Sequence, residues 1–300
     1  MKITLPIVAI AFAILSAQLH AGPLKGATLS RVVNTVEAVG TQGRPRHLTE
    51  REILGEDANV RVGVQSRAEL IFSDRTLARL GAETDLGLRS GTRELSLDRG
   101  TLLIQVPKLC GGARIRTGSL MLSSGGATIL LEHLPGKSLK AVVLEGEMRV
   151  SVPRFLGDSI VVPAGKMLIT SPDVQRIPDP VDTDLRTLVS TSALTKCGPA
   201  NAAAFAPLPS LPRIVREIAR QEDSLREKRL IRTNLVIFGS GTNVVIPSAG
   251  DSAISGQSAG DIGKPPLAQE RDSASRRTAE KGAPLASTPA VLIEPTPPGP

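Results

Sequence analysis

The side chains that most often perform catalysis are few in this sequence of 300 residues, which holds three histidines and two cysteines. A hydrolase would need a serine nucleophile, a histidine base and an orienting carboxylate, and the candidates are Ser123 or Ser124, His133 and Asp158. No nucleophile-elbow motif surrounds either serine. The glycine pairs at 111–112 and 125–126 lack the following Lys-Ser/Thr of a phosphate-binding loop.

Two glutamates offer a second arrangement with the chemistry of an acid–base pair. Glu145 and Glu147 are two residues apart in one predicted strand, and this spacing would place both side chains on the same face. Paired carboxylates can perform general acid–base catalysis, but solvated strand carboxylates are far more common. We therefore predict that the protein is not an enzyme, and a hydrolase is kept only as an alternative.

The two cysteines, Cys110 and Cys197, are the candidates for a disulfide. They supply half of a tetrahedral zinc shell and have no histidine near them, so we expect no metal site and no cofactor. A bond between them would close a loop of roughly ninety residues and stabilise the fold by about 4 kcal/mol. Geometry decides whether two cysteines pair, so the paired and free states both remain open.

The N-terminus predicts export. Met1-Lys2 precede an almost wholly apolar stretch from Ile3 to Ala17, and Ala21 stands at a plausible cleavage position. Residues 1–21 are therefore predicted to be a signal peptide, and the mature chain to be periplasmic or secreted. Leu19 occupies a position where small residues are preferred, so an uncleaved anchor is the alternative.

The net charge of +7 raises nucleic acids and anionic envelope surfaces as partners. The chain has no Trp, no Tyr and five Phe, whereas recognition of single-stranded nucleic acid depends on aromatic stacking, so no nucleic acid partner is predicted. Most arginines of the strand region, Arg79 among them, are predicted to face solvent or lie in turns. The candidates for an anionic-surface patch are Arg114, Arg116, Arg149 and Arg154.

Short segments of alternating polarity, separated by turn residues, fill the chain from residue 27 to residue 172. In one of them Ala68, Leu70 and Phe72 share a face, and Arg67 and Glu69 lie on the other. About a dozen such strands without an intervening helix indicate an all-β domain, built as an antiparallel sandwich, a barrel or a solenoid-like coil.

The pattern changes after Pro172. A capped helix is predicted to start near Asp184, and residues 213–232 indicate an amphipathic helix whose apolar stripe comprises Ile214, Val215, Ile218 and Leu225. Residues 235–238 and 244–246 predict a late hairpin, which ends a helical extension over 173–246. The Gly-, Ser-, Ala- and Pro-rich residues 247–300 predict a disordered tail.

Several of these segments, in order and spacing, resemble the FecR domain over about residues 27–172. The segments that carry the resemblance are Glu56 to Leu70, Phe72-Ser73-Asp74-Arg75-Thr76, Arg79-Leu80-Gly81, Leu95 to Leu102, Ile115-Arg116-Thr117, Leu144 to Val150 and Val162-Pro163-Ala164-Gly165. The glycines at 100, 146 and 165 fall where the chain reverses and a positive φ is cheap. The chain departs from the family pattern at Val62, Arg75 and Ala127, which bears on local turns more than on the fold.

The resemblance implies an extracytoplasmic β-domain, known in iron-uptake systems as the periplasmic part of a transmembrane regulator that relays a receptor signal to a sigma factor. We expect this chain to lack the sigma-binding segment and the internal span of such regulators. The sequence therefore predicts an exported protein-interaction or scaffold module of the cell envelope, with a role in signalling. Its partner would be an envelope protein such as an outer-membrane receptor. A module that binds an anionic envelope polymer or lipid is the alternative.

Overall fold

The computed structural model describes residues 24, 26–40, 44–55, 57–155, 157–196, 205–236 and 238. The predicted signal peptide, the tail, the second strand of the late hairpin and Cys197 lie outside these residues. Within the described part, no helix is both long enough and apolar enough to cross a membrane.

Seventeen strands form the largest part of the regular secondary structure in the described chain. Their bounds are β1 Ala27–Val33, β2 Val36–Val39, β3 Arg46–His47, β4 Ile53–Leu54, β5 Asn59–Val62, β6 Arg67–Phe72, β7 Leu77–Leu80, β8 Asp85–Leu88, β9 Glu94–Gln105, β10 Ala113–Thr117, β11 Leu120–Ser124, β12 Thr128–Leu134, β13 Ser138–Glu145, β14 Glu147–Ser151, β15 Ser159–Pro163, β16 Lys166–Thr170 and β17 Val181–Asp182. Two helices follow, α1 Leu185–Thr191 and α2 Leu211–Arg226, and then a 3-10 turn over Arg232–Asn234. The prediction of an all-β fold with C-terminal helices is confirmed.

The strands form two sheets that share β9. Sheet A has the order β4-β1-β6-β7-β9-β12-β13-β16-β17, and sheet B the order β3-β2-β5-β8-β9-β10-β11-β14-β15. Among the described strands, every pairing is antiparallel except that between β9 and β10. In both sheets, strands that precede β9 in sequence lie on one side of it and strands that follow lie on the other.

Gly100 allows β9 to serve both sheets. The residues before it pair with β8 and β10 in sheet B, and those from Gly100 onward pair with β7 and β12 in sheet A. Gly100 has a φ of +94°, and a Cβ there would overlap the backbone of Thr84. The sequence predicted that the chain reverses at this glycine, whereas the chain bends there and continues as one strand.

The main core lies between the two sheets, as the alternation of apolar residues requires. Leu102, Ile104, Ile129 and Leu131 project inward from sheet A and belong to one buried cluster with sheet B residues such as Ile115. The opposite residues of the same sheet A strands are also apolar. They belong to a second buried cluster, which is completed by the C-terminal helices.

The second cluster places α1 and α2 on the outer side of sheet A. Leu185 and Leu188 of α1 and Ile214 of α2 are buried there against Leu130 and Val142. The predicted helix start is confirmed, because Asp184 is the N-cap of α1 and accepts a hydrogen bond from the backbone N–H of Thr187.

The predicted apolar stripe of α2 is buried only in part. Ile214 is buried and Ile218 packs at the edge of the second cluster, but Val215 is 53% exposed. The helix also ends at Arg226, before the predicted limit. In the late hairpin segment, Val236 forms a single parallel bridge with Thr183. Residues 244–246 lie outside the described residues, so the hairpin stays a prediction.

Candidate functional site

The outer side of one sheet is covered by later parts of the chain, and the outer side of the other sheet is exposed. We call the outer side of sheet A the covered face, because Leu185, Leu188, Phe205 and Ile214 bury its apolar residues. We call the outer side of sheet B, along β10, β11, β14 and β15, the open face. Its outward side chains are all partly or fully exposed: Arg114, Arg116, Met121, Ser123, Glu147, Arg149, Ser151, Ser159, Val161 and Pro163.

A buried arginine fastens the C-terminal segment to the covered face. The Arg79 side chain is 0% exposed, and its Nε donates to Oε2 of Glu69 at 2.7 Å. Its other nitrogens donate to the carbonyls of Leu194 and Ala206. The guanidinium also stacks on the Phe205 ring, 4.6 Å from its centroid. Arg79 therefore joins β7 to chain more than a hundred residues later.

The prediction that Arg79 faces solvent is therefore wrong, and Glu69, on the same side of the neighbouring strand, is buried with it. Both alternate correctly with the inward residues of their strands, but the side they occupy is covered by the C-terminal segment. The Glu69 carboxylate also accepts from Ser30 Oγ at 2.6 Å, so both charged groups are satisfied where they are buried.

A second polar contact fastens the start of α2. Glu145, at the end of β13, is 2% exposed and accepts from Nε and Nη2 of Arg213, each at 3.1 Å. It also accepts from Thr128 Oγ1, which shares a second hydrogen bond with Ser210 Oγ at 2.7 Å. A bidentate arginine–carboxylate pair fixes orientation as well as contact, so α2 is held in one position on β12 and β13.

The open face brings three of the four predicted patch arginines onto one surface. Arg114 lies opposite Ser123, and Ser123 lies opposite Arg149, so one row crosses β10, β11 and β14. Arg116 follows two residues later on the same face of β10 and donates to Glu94 at 2.9 Å. Arg154 is exposed in the connection between β14 and β15, beyond these rows. Their role as an anionic-surface patch stays a prediction.

The other half of sheet B carries opposite charges that neutralise one another. Arg61 on β5 donates to Asp85 on β8 at 2.8 Å, and Arg99 lies 3.4 Å from the same carboxylate. The hydrogen bond from Arg61 to Asp85, and then their Coulombic attraction, raises the pKa of Arg61. On the open face Arg114, Arg116 and Arg149 outnumber two carboxylates, Glu94, which accepts from Arg116, and Glu147.

A cleft of about 520 Å³ adjoins the open face at the loop between β9 and β10. It is lined by backbone of the 91–93 and 111–113 segments together with Arg114, Ser123 and Ser124. Arg93 in its wall is held by Asp74 and donates to the Gly112 carbonyl at 2.5 Å. The cleft thus offers one exposed arginine and hydroxyl groups, which suit an anionic or hydrogen-bonding group.

The residues proposed for hydrolysis do not form one centre. His133 is buried in sheet A, with Nδ1 3.0 Å from the Leu97 carbonyl, whereas Ser123 lies on the open face of sheet B. Glu145 and Glu147 do not share a strand face, because the chain turns from sheet A to sheet B at Gly146. Within the described residues, no group of three or more His, Cys, Asp or Glu could hold a metal ion.

Cys110 is half-buried in the loop between β9 and β10. Its proposed partner, Cys197, is outside the described residues, so the disulfide stays a prediction. The contacts made by Arg79 and Glu145 were missed by the sequence analysis. One clue was the apolar character of both faces in β12 and β13, since a strand buried on both sides must be covered twice.

The geometry defines a two-sheet β-domain whose C-terminal segment covers one sheet. Residues 58–149, from the residue before β5 to the middle of β14, match the family model described as FecR protein. The chain therefore contains a FecR domain.

Two solved structures are similar to this chain over part of its length, and both are described as a "putative anti-sigma factor" from Parabacteroides distasonis. Their sequence identities are 16% and 13%, and the TM-score is 0.34 for each. Each match covers 38% of this chain and 55% of the other, so it spans about half the length of those chains. No curated protein matches the chain.

Proposed function

We propose that the protein is an exported, non-enzymatic FecR-domain protein that acts as a protein-interaction module in the cell envelope, with a role in signalling. The observation that carries the proposal is the difference between the two outer faces. The chain buries its own covered face with Phe205, α1 and α2, whereas Arg114, Arg149 and Val161 remain exposed on the open face. An exposed surface with a shallow cleft and more arginines than carboxylates suits a partner of negative charge.

The signalling role follows from the resemblance to the FecR family, whose extracytoplasmic domains relay receptor signals. The partner would be an envelope protein, such as an outer-membrane receptor. Export is supported by the charged start and apolar stretch of residues 1–21. Fractionation of the native cells, with N-terminal sequencing of the mature chain, tests this part. A chain that starts at Gly22 in the periplasmic or secreted fraction would support export, and a cytoplasmic chain that retains Met1 would refute it.

Site-specific photo-crosslinking in the native cells tests the interaction itself. A photo-reactive residue at Met121 would lie in the middle of the open face, and one at Val64, which is 71% exposed between β5 and β6, is the matched control. We expect a discrete protein adduct from position 121 and none from position 64. Adducts with lipid or polymer alone would refute a protein partner.

An anionic envelope polymer or lipid is the second candidate, because Arg114, Arg116 and Arg149 share one face. Binding driven by these charges should weaken steeply as ionic strength rises, since exposed charges are screened within about 10 Å at 0.1 M salt. Binding of vesicles containing phosphatidylglycerol, compared with neutral vesicles over a salt series, distinguishes the two. The Arg114→Gln/Arg149→Gln double variant should abolish such binding.

A further inference from the structure

Sheet B ends at β15, which is the longest unpaired edge in the described part of the protein. β15 has five residues and pairs with β14 alone among the described strands. The other three sheet edges are β3, β4 and β17, each of only two residues. Proteins blunt the edges of their sheets because unpaired backbone groups can accept another strand.

The hydrogen-bond pattern shows which groups of β15 point away from β14. The N–H of Ala164 donates to Gly146, and that of Val152 donates to Asp158. Since bonded and non-bonded pairs alternate in an antiparallel ladder, the bonded pairs in between are Met148–Val162 and Val150–Ile160. The N–H groups of Ser159 and Val161, and the carbonyls of both residues, therefore point outward from the sheet.

The proline in this strand fits the same geometry. Pro163 lies opposite Glu147 in a non-bonded pair, so its missing N–H would have pointed outward. Proline occurs in sheets on edge strands with this orientation. Pro163 therefore offers no N–H to an added strand, whereas Ser159 and Val161 each offer an N–H and a carbonyl.

The side chains around the edge determine what can pair with it. Val161 is 42% exposed on the open face, and Ile160 packs inward against the main core. Arg149 extends across β15, where its Nη1 donates to Ser159 Oγ at 3.1 Å. Arg149 therefore places a positive charge beside Val161 on the open face, whereas Glu147, opposite Pro163, places a carboxylate at the far end of the strand. The inner side of the edge is apolar.

We infer that β15 accepts an extended segment of a partner protein as an additional strand of sheet B, and that acidic and apolar residues alternate in this segment. Its acidic side chains would lie beside Val161 and meet Arg149, and its apolar side chains would continue the core beside Ile160. Strand addition takes affinity from the main chain and specificity from alternate side chains. This inference deepens the proposed function and rests on it.

A second copy of this chain is a less suitable occupant. Antiparallel pairing of β15 with its own copy would bring Arg149 and Arg154 of both copies toward the same joint, and like charges across an interface oppose association. An acidic segment carries the opposite charge, so it would be attracted to these arginines. Sedimentation of the purified protein alone tests this point, and a dimer that the Val161→Pro variant abolishes would overturn the inference in favour of self-association.

The probe for the main test is a synthetic peptide of about ten residues that alternates Glu and Val, a length that covers a typical strand. A Lys-Val peptide is the charge control. Two further Glu-Val peptides carry N-methyl groups on the Glu amides or on the Val amides, so they share composition but block opposite edges of the added strand. We expect the Glu-Val peptide to bind and the Lys-Val peptide to bind at least about tenfold more weakly.

One of the two methylated peptides should lose binding while the other retains it, because only one set of amides can face β15. Antiparallel addition would place the Glu amides against Val161. Equal binding by the two methylated peptides would mean that charge alone holds the peptide, and that result would overturn strand addition. A Glu-Val peptide that does not bind would also overturn it.

Variants of Val161 test the same point from the protein side. Val161→Pro removes an N–H that β14 does not use and places a ring at the edge, so it should weaken peptide binding at least about tenfold while the fold is kept. Val161→Ala retains the N–H and should change binding by no more than about threefold, as expected for a small loss of apolar contact. Thermal unfolding of both variants checks that the fold survives.

The outcomes separate this inference from the proposed function. If photo-crosslinking captures a protein partner that binds the Val161→Pro variant as well as the wild type, the interaction role stands and strand addition fails. If no protein partner is captured in cells although the Glu-Val peptide binds in the predicted way, the edge chemistry stands and the proposed function fails.

Discussion

The covered face and the open face are outer sides of two sheets that share a strand, and both present charged residues at regular alternate positions. On the covered face Arg79 is buried, with its guanidinium held by Glu69 and by two carbonyls of the C-terminal segment. On the open face Arg149 is exposed, and its Nη1 donates to Ser159 Oγ. The same residue type in the same strand pattern therefore acts as a structural fastener in one place and is available for binding in the other. What decides between them is a segment distant in sequence.

The largest expected effect comes from removing the fastener. Arg79→Ala would leave the Glu69 carboxylate and the Leu194 and Ala206 carbonyls without their buried partner, and breaking a buried pair costs about 3–5 kcal/mol. Denaturant unfolding should show this loss of stability, and limited proteolysis should show faster cleavage near Phe205. Arg149→Ala is the matched control and should change stability by less than about 1 kcal/mol. Equal effects would show that the two faces do not differ as described.

The shared strand can be tested at its bend. Gly100→Ala forces a side chain at a φ of +94° against the Thr84 backbone, and overpacking with strain of this kind costs about 2–4 kcal/mol. Gly136→Ala is the control, because its φ is +69° but nothing lies within 4 Å of the added Cβ. The difference between the two unfolding free energies isolates the steric conflict. A tolerated Gly100→Ala would mean that β9 does not need this bend.

Substitutions of two neighbouring glutamates, one on either side of the turn at Gly146, test the difference between the two faces. Glu145→Gln removes the charge that binds Arg213 on the covered side, although the amide can still accept from Thr128, so we expect a loss of about 1–3 kcal/mol. Glu147→Gln, beyond Gly146 and exposed, should be within about 0.5 kcal/mol of the wild type. Urea unfolding of both variants measures the difference. An equal loss in both would contradict the role given to the Glu145–Arg213 pair.

The smallest expected effect is on the open face. Arg116→Ala breaks the pair with Glu94, in which the arginine side chain is 45% exposed, so the loss should stay below about 1 kcal/mol. Thermal unfolding at low and high salt measures it, and the difference from the wild type should shrink at high salt. A loss as large as that of Arg79→Ala would show that this face, too, has a structural role.

The sequence predicted the strands well because apolar alternation is local. Residues such as Ala68, Leu70 and Phe72 are buried as expected, and the glycines at 100, 146 and 165 have positive φ as predicted. Arg75, which stands where the family has Gly, keeps the turn by adopting a φ of +67°. Turn geometry is decided by a few neighbouring residues, and these are visible in the sequence.

The environment of the outward residues could not be predicted in the same way. Glu69 and Arg79 have the spacing of solvated residues, and only contact with Leu194, Phe205 and Ala206 makes them buried. Arg114 and Arg149 lie in one row because β11 lies between their strands. The order of strands in the sheet sets this arrangement, and local sequence does not show it. The alternation of apolar and polar residues predicts which side chains lie on the same side of a strand, but it does not predict whether another segment covers that side.

Because early strands lie on one side of β9 and later strands on the other in both sheets, the molecule is ordered in space much as it is ordered in sequence. Such a ladder can gain or lose a pair of strands at either end without any segment having to be rethreaded through the rest. Relatives with more or fewer strands would then keep the same bend at Gly100 and differ only in how far the sheets extend from it. The number of strands that follow β9 would then set where the exposed edge of sheet B lies and which residues form it.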